Sequence, residues 1–495
     1  MGGSTSKRVR TALGTKLLTA LALVAAADLL LFRSAPGAGL GLFAIAWILA
    51  AGVAHPELGR DRRARAALLA ALLFALLEIE TTTLIGWLMF GAALGIAVLS
   101  PRAARSDGAW RWAQRLALLA AAGSLGPLLD VAGARRRRRR DRGGLRVGLA
   151  SLVALFALPA AGAVVFLALF ASANPLISQA LDGIAWDGVD LGRICFWGVA
   201  GVIVWSVLRP RFLRRPLALP QGSGDLRLPG VSAGSVLLSL IVFNALFAVE
   251  NGLDLAFLWS GAPLPAGVTL ADYAHRGAYP LVATAILAGL FVLVALRPGS
   301  DSARSRPIRW LVGLWTAQNM LLVASSALRT IDYVQAYSLT VLRIAALAWM
   351  GLVAVGLGLI LWRMLRSKSA DWLLNANAAA AALVLTAASV VDLGSVAAAW
   401  NVRHAREAGG AGAPLDVDYL ARLGPSALVS LSELEQRPLP PLLHARVDAA
   451  RASALARLRF GQADWRNWTA RGARRLQRAA ALAPAPAPLT SGRRA

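Results

Sequence analysis

The chain has 495 residues, 57% of them hydrophobic and only 16% charged, with a mean hydropathy of +0.59. Soluble domains carry about 45–50% apolar and about 25% charged residues, so an ordinary soluble enzyme is excluded. A formal charge of +26 would suit a nucleic-acid binder, but the basic residues fall mainly in short connections between apolar runs, so no nucleic-acid partner is expected.

Apolar runs long enough to cross a hydrocarbon core of about 30 Å recur along most of the chain. In lipid each must be a helix, because every backbone N–H and C=O needs an internal partner. The expected fold is therefore an all-α, polytopic transmembrane helical bundle of about eleven spans in the lipid bilayer. The spans fall at 17–32, 37–54, 66–80, 84–99, 147–172, 194–208, 232–258, 278–296, 310–328, 339–361 and 373–399. The first follows Lys7, Arg8, Arg10 and Lys16 and reads as an uncleaved signal anchor, since the apolar stretch continues through Phe32. Cleavage near Ala25-Ala26-Ala27 is the alternative. Gly37-Ala38-Gly39-Leu40-Gly41 has no strand before it and reads as a loop and helix-packing feature rather than a phosphate cradle.

After the fourth span, residues 109–134 begin with Trp110, Arg111, Trp112 and Arg115 and read as an amphipathic helix at the cytoplasmic interface. The run Arg135–Arg140 reads as a topogenic stop able to touch anionic lipid headgroups. Gly351, Gly356 and Gly358 in the tenth span read as close helix contacts. Beyond the eleventh span, 401–480 reads as a small helical extramembrane domain, a candidate surface for an envelope protein. Residues 481–495, rich in Pro and Ala, read as a disordered tail.

Charge sets the orientation. With the N-terminus cytoplasmic, segments 1–16, 55–65, 101–146, 209–228, 297–309 and 362–368 hold 32 Lys and Arg, and the opposite loops hold four: Arg33, Arg193, Arg276 and Arg329. No connection is out of phase, which places the N-terminus inside and the C-terminal tail outside.

Ionisable residues within spans are costly and therefore informative. Asp28, Glu78, Glu80, Glu250, Asp254, Arg343 and Asp392 all fall toward the outward side. Glu250 and Asp254, four apart, share a helix face, and Arg343 is their natural cation. The outer loops add Asp272, Tyr273, Arg276, Asp332 and Tyr333. Two readings stand: an outward polar site that binds a polar ligand or passes protons, or groups that reach the interface and fix helix packing. The single Cys195 excludes an intrachain disulfide, and His55, His275, His404 and His444 form no ligand pair. With no nucleophile or metal motif, no catalytic residue, metal or cofactor is expected.

Three stretches together resemble a bacterial family of integral membrane proteins, domain of unknown function 4173, with a close relative, 4153. The first is Val268-Thr269-Leu270-Ala271-Asp272-Tyr273-Ala274-His275-Arg276-Gly277. The second is Tyr333-Val334-Gln335-Ala336-Tyr337-Ser338-Leu339-Thr340-Val341-Leu342-Arg343, in which Ser338 stands where the family has Gly. The third is Asp464-Trp465-Arg466-Asn467-Trp468, preceded by Asp416, Tyr419-Leu420 and Leu423-Gly424. In the first stretch Ala278 follows where the family has Phe. The resemblance implies the bacterial cytoplasmic membrane and little chemistry. It leaves open a transporter or proton-coupled protein, a membrane scaffold or sensor, and an envelope enzyme on a lipid-linked substrate.

Overall fold

The computed structural model describes residues 2–124, 190–217, 232–259, 287 and 304–482. The span expected at 147–172, all but residue 287 of that expected at 278–296, the run Arg135–Arg140, nearly all of 481–495, and Asp272, Tyr273 and Arg276 lie outside the described residues. Every regular element among the described residues is a helix. Among the described residues six helices are long and apolar enough to cross a membrane, within Gly14–Leu31, Leu84–Arg102, Ala233–Asp254, Arg306–Tyr337, Val341–Arg366 and Ala370–Val390. Ala38–Ala54 and Gly192–Leu208 are shorter apolar helices.

The chain divides into two compact units. The first combines Met1–Asp107, Arg111–Leu217 and Gly461–Ala470. Its helices are α1 (Gly2–Leu31), α2 (Ala38–Ala54), α3 (Arg62–Glu80), α4 (Leu84–Leu99), α5 (Ala109–Ser124) and α6 (Leu191–Leu208). Short polar side chains start several of them: Asp61 accepts from the Arg63 amide, Thr83 from Gly86 and Asp190 from Arg193. α2 packs between α1 and α3, and α3 packs on α4. Small residues permit the closeness, since Ala44, Ala51, Ala71 and Ala75 are fully buried. Phe43, Trp47, Trp87 and Phe90 fill the middle, with ring centroids 5.1–6.4 Å apart. In α5, Arg115 is 4% exposed, paired with Asp107 and lying 4.5 Å over the Phe212 ring. It is a packed residue of the first unit.

At one end of this unit α1 turns into α2, and the segment 464–468 is clamped on that turn. The Ala38 amide donates to the Trp468 carbonyl at 2.7 Å and the Gly39 amide to the Arg466 carbonyl at 2.8 Å. These bonds satisfy N–H groups that a helix start leaves orphaned. The Arg466 guanidinium, held by Asp464 at 2.8 Å, reaches the Leu29 and Phe32 carbonyls at the end of α1. A Cβ on Gly37 would lie 2.3 Å from the Asn467 carbonyl carbon, and one on Gly39 would lie 2.5 Å from the Leu30 oxygen. The glycine pattern is thus a packing feature, as its sequence suggested, and its partner is the distant tail.

His55 ends α2 and is 1% exposed. Its Nε2 faces the Val207 carbonyl at 3.2 Å and its Nδ1 faces Glu57 at 3.3 Å. Burial and the charge of Lys16 pull its pKa below the ordinary value, against the opposing pull of Glu57.

The second unit combines Gly108–Trp110, Ala218–Phe460 and Arg471–Ala495. α7 (Ala233–Asp254) runs into a π-helical turn, Leu255–Trp259; α8 (Arg306–Tyr337), α9 (Val341–Arg366) and α10 (Ala370–Val390) follow. α8 packs on both α7 and α9, and α10 on α9. Leu240, Val312, Trp315, Met350 and Leu357 form their core. The span expected through 399 ends at Val390, because Val391 is extended and Asp392 caps a new helix, α11 (Leu393–His404). α12 (Val417–Leu423), α13 (Leu428–Glu435), α14 (Pro441–Ala463) and α15 (Ala470–Ala481) complete the described chain. Val402, Leu420, Leu431, Leu434 and Val447 make a second core there, within the same compact unit as α7–α10 through Phe460.

Two measurements test these packing arguments. Gly37→Ala is expected to cost about 1–3 kcal/mol, read as a lower melting temperature in detergent and faster proteolysis between α14 and α15. For His55 the ring is neutral in both states above pH ~6.5; below that the unfolded chain takes up a proton that the buried ring refuses, so folding weakens by up to about 1.4 kcal/mol per pH unit. Melting temperatures at neutral and mildly acidic pH should therefore fall further in the wild type than in His55→Gln.

Candidate functional site

The polar residues of α7 and α8 face one another and form a seam. The Asn244 side-chain amide donates to the Leu311 carbonyl at 3.1 Å, and Gln318 donates to the Asn244 oxygen at 3.1 Å. Asn251 reaches the Gln318 carbonyl at 3.4 Å, and the Trp259 indole donates to Ser325 at 3.0 Å. Asp254 and Arg329 form an ion pair whose side chains are 2% and 8% exposed. On α8 the participants recur at helical spacing, Trp315, Gln318, Asn319, Ser325, Ser326 and Arg329, so they lie on one face. From Gln318 to Tyr333 that face runs about 22 Å at the helical rise, most of the depth of a bilayer core.

The cation of Asp254 is therefore Arg329 and not Arg343. The apolar window of the eighth helix fades after position 328, which made Arg329 look like a loop residue, yet α8 continues to Tyr337. Its signal was the polar stripe itself, Gln318-Asn319, then Ser325-Ser326 seven residues on and Arg329 a further three to four. Glu250 lies about 100° around α7 from Asn251; it is exposed and forms no ion pair among the described residues. The oxygens Oδ1 of Asn251 and Oε1 of Gln318 are buried without a hydrogen-bond partner among the described residues. They leave the seam able to accept hydrogen bonds.

Arg343 and Tyr333 sit at the turn between α8 and α9. The guanidinium lies 4.3 Å over the Tyr333 ring and donates to the carbonyls of Tyr337, at 2.7 Å, and Ser338. The turn is fastened from α11 and α12. Asn401 receives the Leu339 amide at 2.7 Å and donates back to its carbonyl at 2.9 Å, and the Tyr419 hydroxyl accepts from the Val341 amide at 2.9 Å. The second resembling stretch is thus fastened by Tyr419, one of the residues that precede the third. Asp332, nearby on α8, is half-buried and forms no ion pair among the described residues.

Asp392 belongs to a third place. It caps α11 through the Ser395 amide at 3.2 Å, accepts from the Ser426 hydroxyl at 3.1 Å and pairs with Arg475 of α15. Asp254, the pair Tyr333–Arg343, and Asp392 therefore occupy three local networks, and only the first two share the stripe on α8. In the first unit Asp28 is held by Arg193 at 2.5 and 2.7 Å and by the Trp197 indole at 2.9 Å. Among the described residues no group of three or more His, Cys, Asp or Glu could hold a metal.

Ser338 has φ +70° and ψ 164°, a region that is essentially glycine's. Ser338→Gly should stabilise the protein by about 1 kcal/mol or more, seen as a raised melting temperature; an unchanged or lower value would remove the strain reading.

No curated protein and no solved structure matches the chain. Residues 64–434 match the family described as Domain of unknown function (DUF4153), the close relative anticipated by the resemblance. The matched stretch holds the α7–α8 seam, the Tyr333–Arg343 turn with Tyr419, and Asp392, while Asp464–Trp468 follows it. With the match extending over most of its length, the protein belongs to the DUF4153 family.

Proposed function

We propose that this multi-pass membrane protein resides in the bacterial cytoplasmic membrane, N-terminus inside and C-terminus outside, and that the α7–α8 seam binds a proton or a small polar solute and couples its movement to the Asp254–Arg329 pair. The observation that carries the reading is that ion pair, buried inside two helices apolar enough to span lipid. Intramembrane charges are expensive and mark ion or substrate pathways. Two buried acceptors without a partner among the described residues, on Asn251 and Gln318, add hydrogen-bonding capacity about one and about three turns away. The orientation is supported by the first unit. There Arg60, Arg62, Arg63 and Arg105 line a cleft close to Glu57, while the α1–α2 turn that holds the C-terminal segment lies at the other end of α2.

A second reading, a scaffold or sensor that meets an envelope partner through 401–480, is favoured by one feature. Leu442 and Phe460 are 85% and 84% exposed and lie five turns apart on one face of α14.

The transport reading is tested in proteoliposomes carrying an internal pH dye under a potassium diffusion potential. Removing one partner of a buried pair costs about 3–5 kcal/mol, so the double variant Asp254→Asn with Arg329→Gln is the informative one. It is expected to insert and melt near the wild type while losing a proton- or solute-dependent signal. A signal that survives in the double variant would remove the seam from the mechanism.

A further inference from the structure

The connection after α2 and the turn after α4 enclose a cleft of about 900 Å³ in the first unit. Arg60, Arg62, Arg63 and Arg105 line it together with Glu57 and Asp61. Its base is fixed by Ser100, which is fully buried and donates to the Ile96 carbonyl at 2.7 Å. Arg63 ties one wall to the other by donating to the carbonyls of Ala103 and Ala104 at 3.0 and 2.9 Å.

The charges in the cleft do not cancel. Asp61 is engaged as the cap of α3, accepting from the Arg63 amide at 2.8 Å. Glu57 faces His55 at 3.3 Å and Arg102 at 3.9 Å. Lys16 adds a further cation within electrostatic reach of Glu57, Arg102 and Arg209. Arg60, Arg62 and Arg105 are exposed, and their guanidinium groups make no ion pair or hydrogen bond among the described residues. The N-terminal turn of α3 brings its positive dipole end to the same place. The cleft opens where the apolar α2 and α4 end, the depth at which a headgroup would sit.

We propose that this cleft binds a phosphate-bearing anion, with Arg60 and Arg62 on one wall and Arg105 on the other closing on its oxygens. Guanidinium groups suit that ligand because they donate two parallel N–H groups to a phosphate and stay charged at every relevant pH. The phosphate can belong to the headgroup of an anionic phospholipid or to a soluble phosphate compound, and the recognition chemistry is the same.

The test uses the purified full chain in nanodiscs of phosphatidylcholine, with and without phosphatidylglycerol, and with inorganic pyrophosphate as the soluble probe. Lipid retained in native mass spectrometry and the melting temperature are read for wild type, for Arg60→Gln/Arg62→Gln/Arg105→Gln, and for a comparison variant that loses the same charge elsewhere, Arg403→Gln/Arg459→Gln/Arg478→Gln. The cleft variant is expected to bind about tenfold more weakly or worse, while the comparison variant binds as the wild type does. Arg105→Gln alone keeps the test if the triple variant does not insert. Protection by phosphatidylglycerol identifies a headgroup site, and protection by pyrophosphate alone identifies a soluble ligand. Equal loss in both triple variants, or no response of the wild type to either anion, overturns the proposal.

Discussion

A helix that stops at the edge of a membrane leaves carbonyls that lipid cannot satisfy, and in this protein arginines answer them. Arg343 takes the carbonyls of Tyr337 and Ser338 at the end of α8, and Arg466 reaches those of Leu29 and Phe32 at the end of α1. Arg471 donates to the Val390 carbonyl where α10 ends, at 2.7 Å. In each case a cation meets the negative end of a helix dipole and also completes its hydrogen bonding. Several arginines after the last apolar helix are likewise engaged locally. Arg406, Arg437 and Arg457 donate to backbone carbonyls, and Arg446 and Arg451 pair with carboxylates.

The α7–α8 seam obeys the same constraint with side chains. Once Asp254 is removed from water its charge must be matched, and Arg329 matches it from the facing helix. Either group alone would be costly, so the pair fixes the register of α7 against α8 and is at the same time sensitive to anything that neutralises one member. A structural role and a functional one are therefore compatible at this point. What distinguishes them is the pair of buried acceptors, on Asn251 and Gln318, that have no donor among the described residues. Packing alone gives no reason to bury an oxygen without a donor.

Local signals were legible and distant ones were not. The helix Leu84–Leu99 has the bounds its apolar run suggests, because Thr83 caps it and Ser100 closes it. α8 is longer than its apolar run suggests, since hydropathy falls where Ser325, Ser326 and Arg329 begin. That fall reflects a buried polar face, which a hydropathy window cannot tell from a loop. Asp392 was misplaced for a similar reason: α10 and α11 are both apolar, and only the cap reveals the break at Val391. Arg343 was recognised as important from the resembling stretch, but its partners are carbonyls five and six residues away. Depth in the membrane singled out the residue and could not supply its contacts.

The longest-range contact concerns the limits of the folding unit. The family match begins at residue 64 and ends at 434. α1 and α2 precede it and Asp464–Trp468 follows it, so both flanks are outside the shared region. Yet these flanks bond to each other through the Ala38 and Gly39 amides and through Arg466. Gly37 and Gly39 have no side chain because the backbone of the tail and the end of α1 occupy that space. A fragment cut to the matched region would lose both partners together and expose the face of α3 that α2 covers. The first unit is completed by chain from both flanks of the matched region, and the Trp468 carbonyl, which receives the Ala38 amide, closes it.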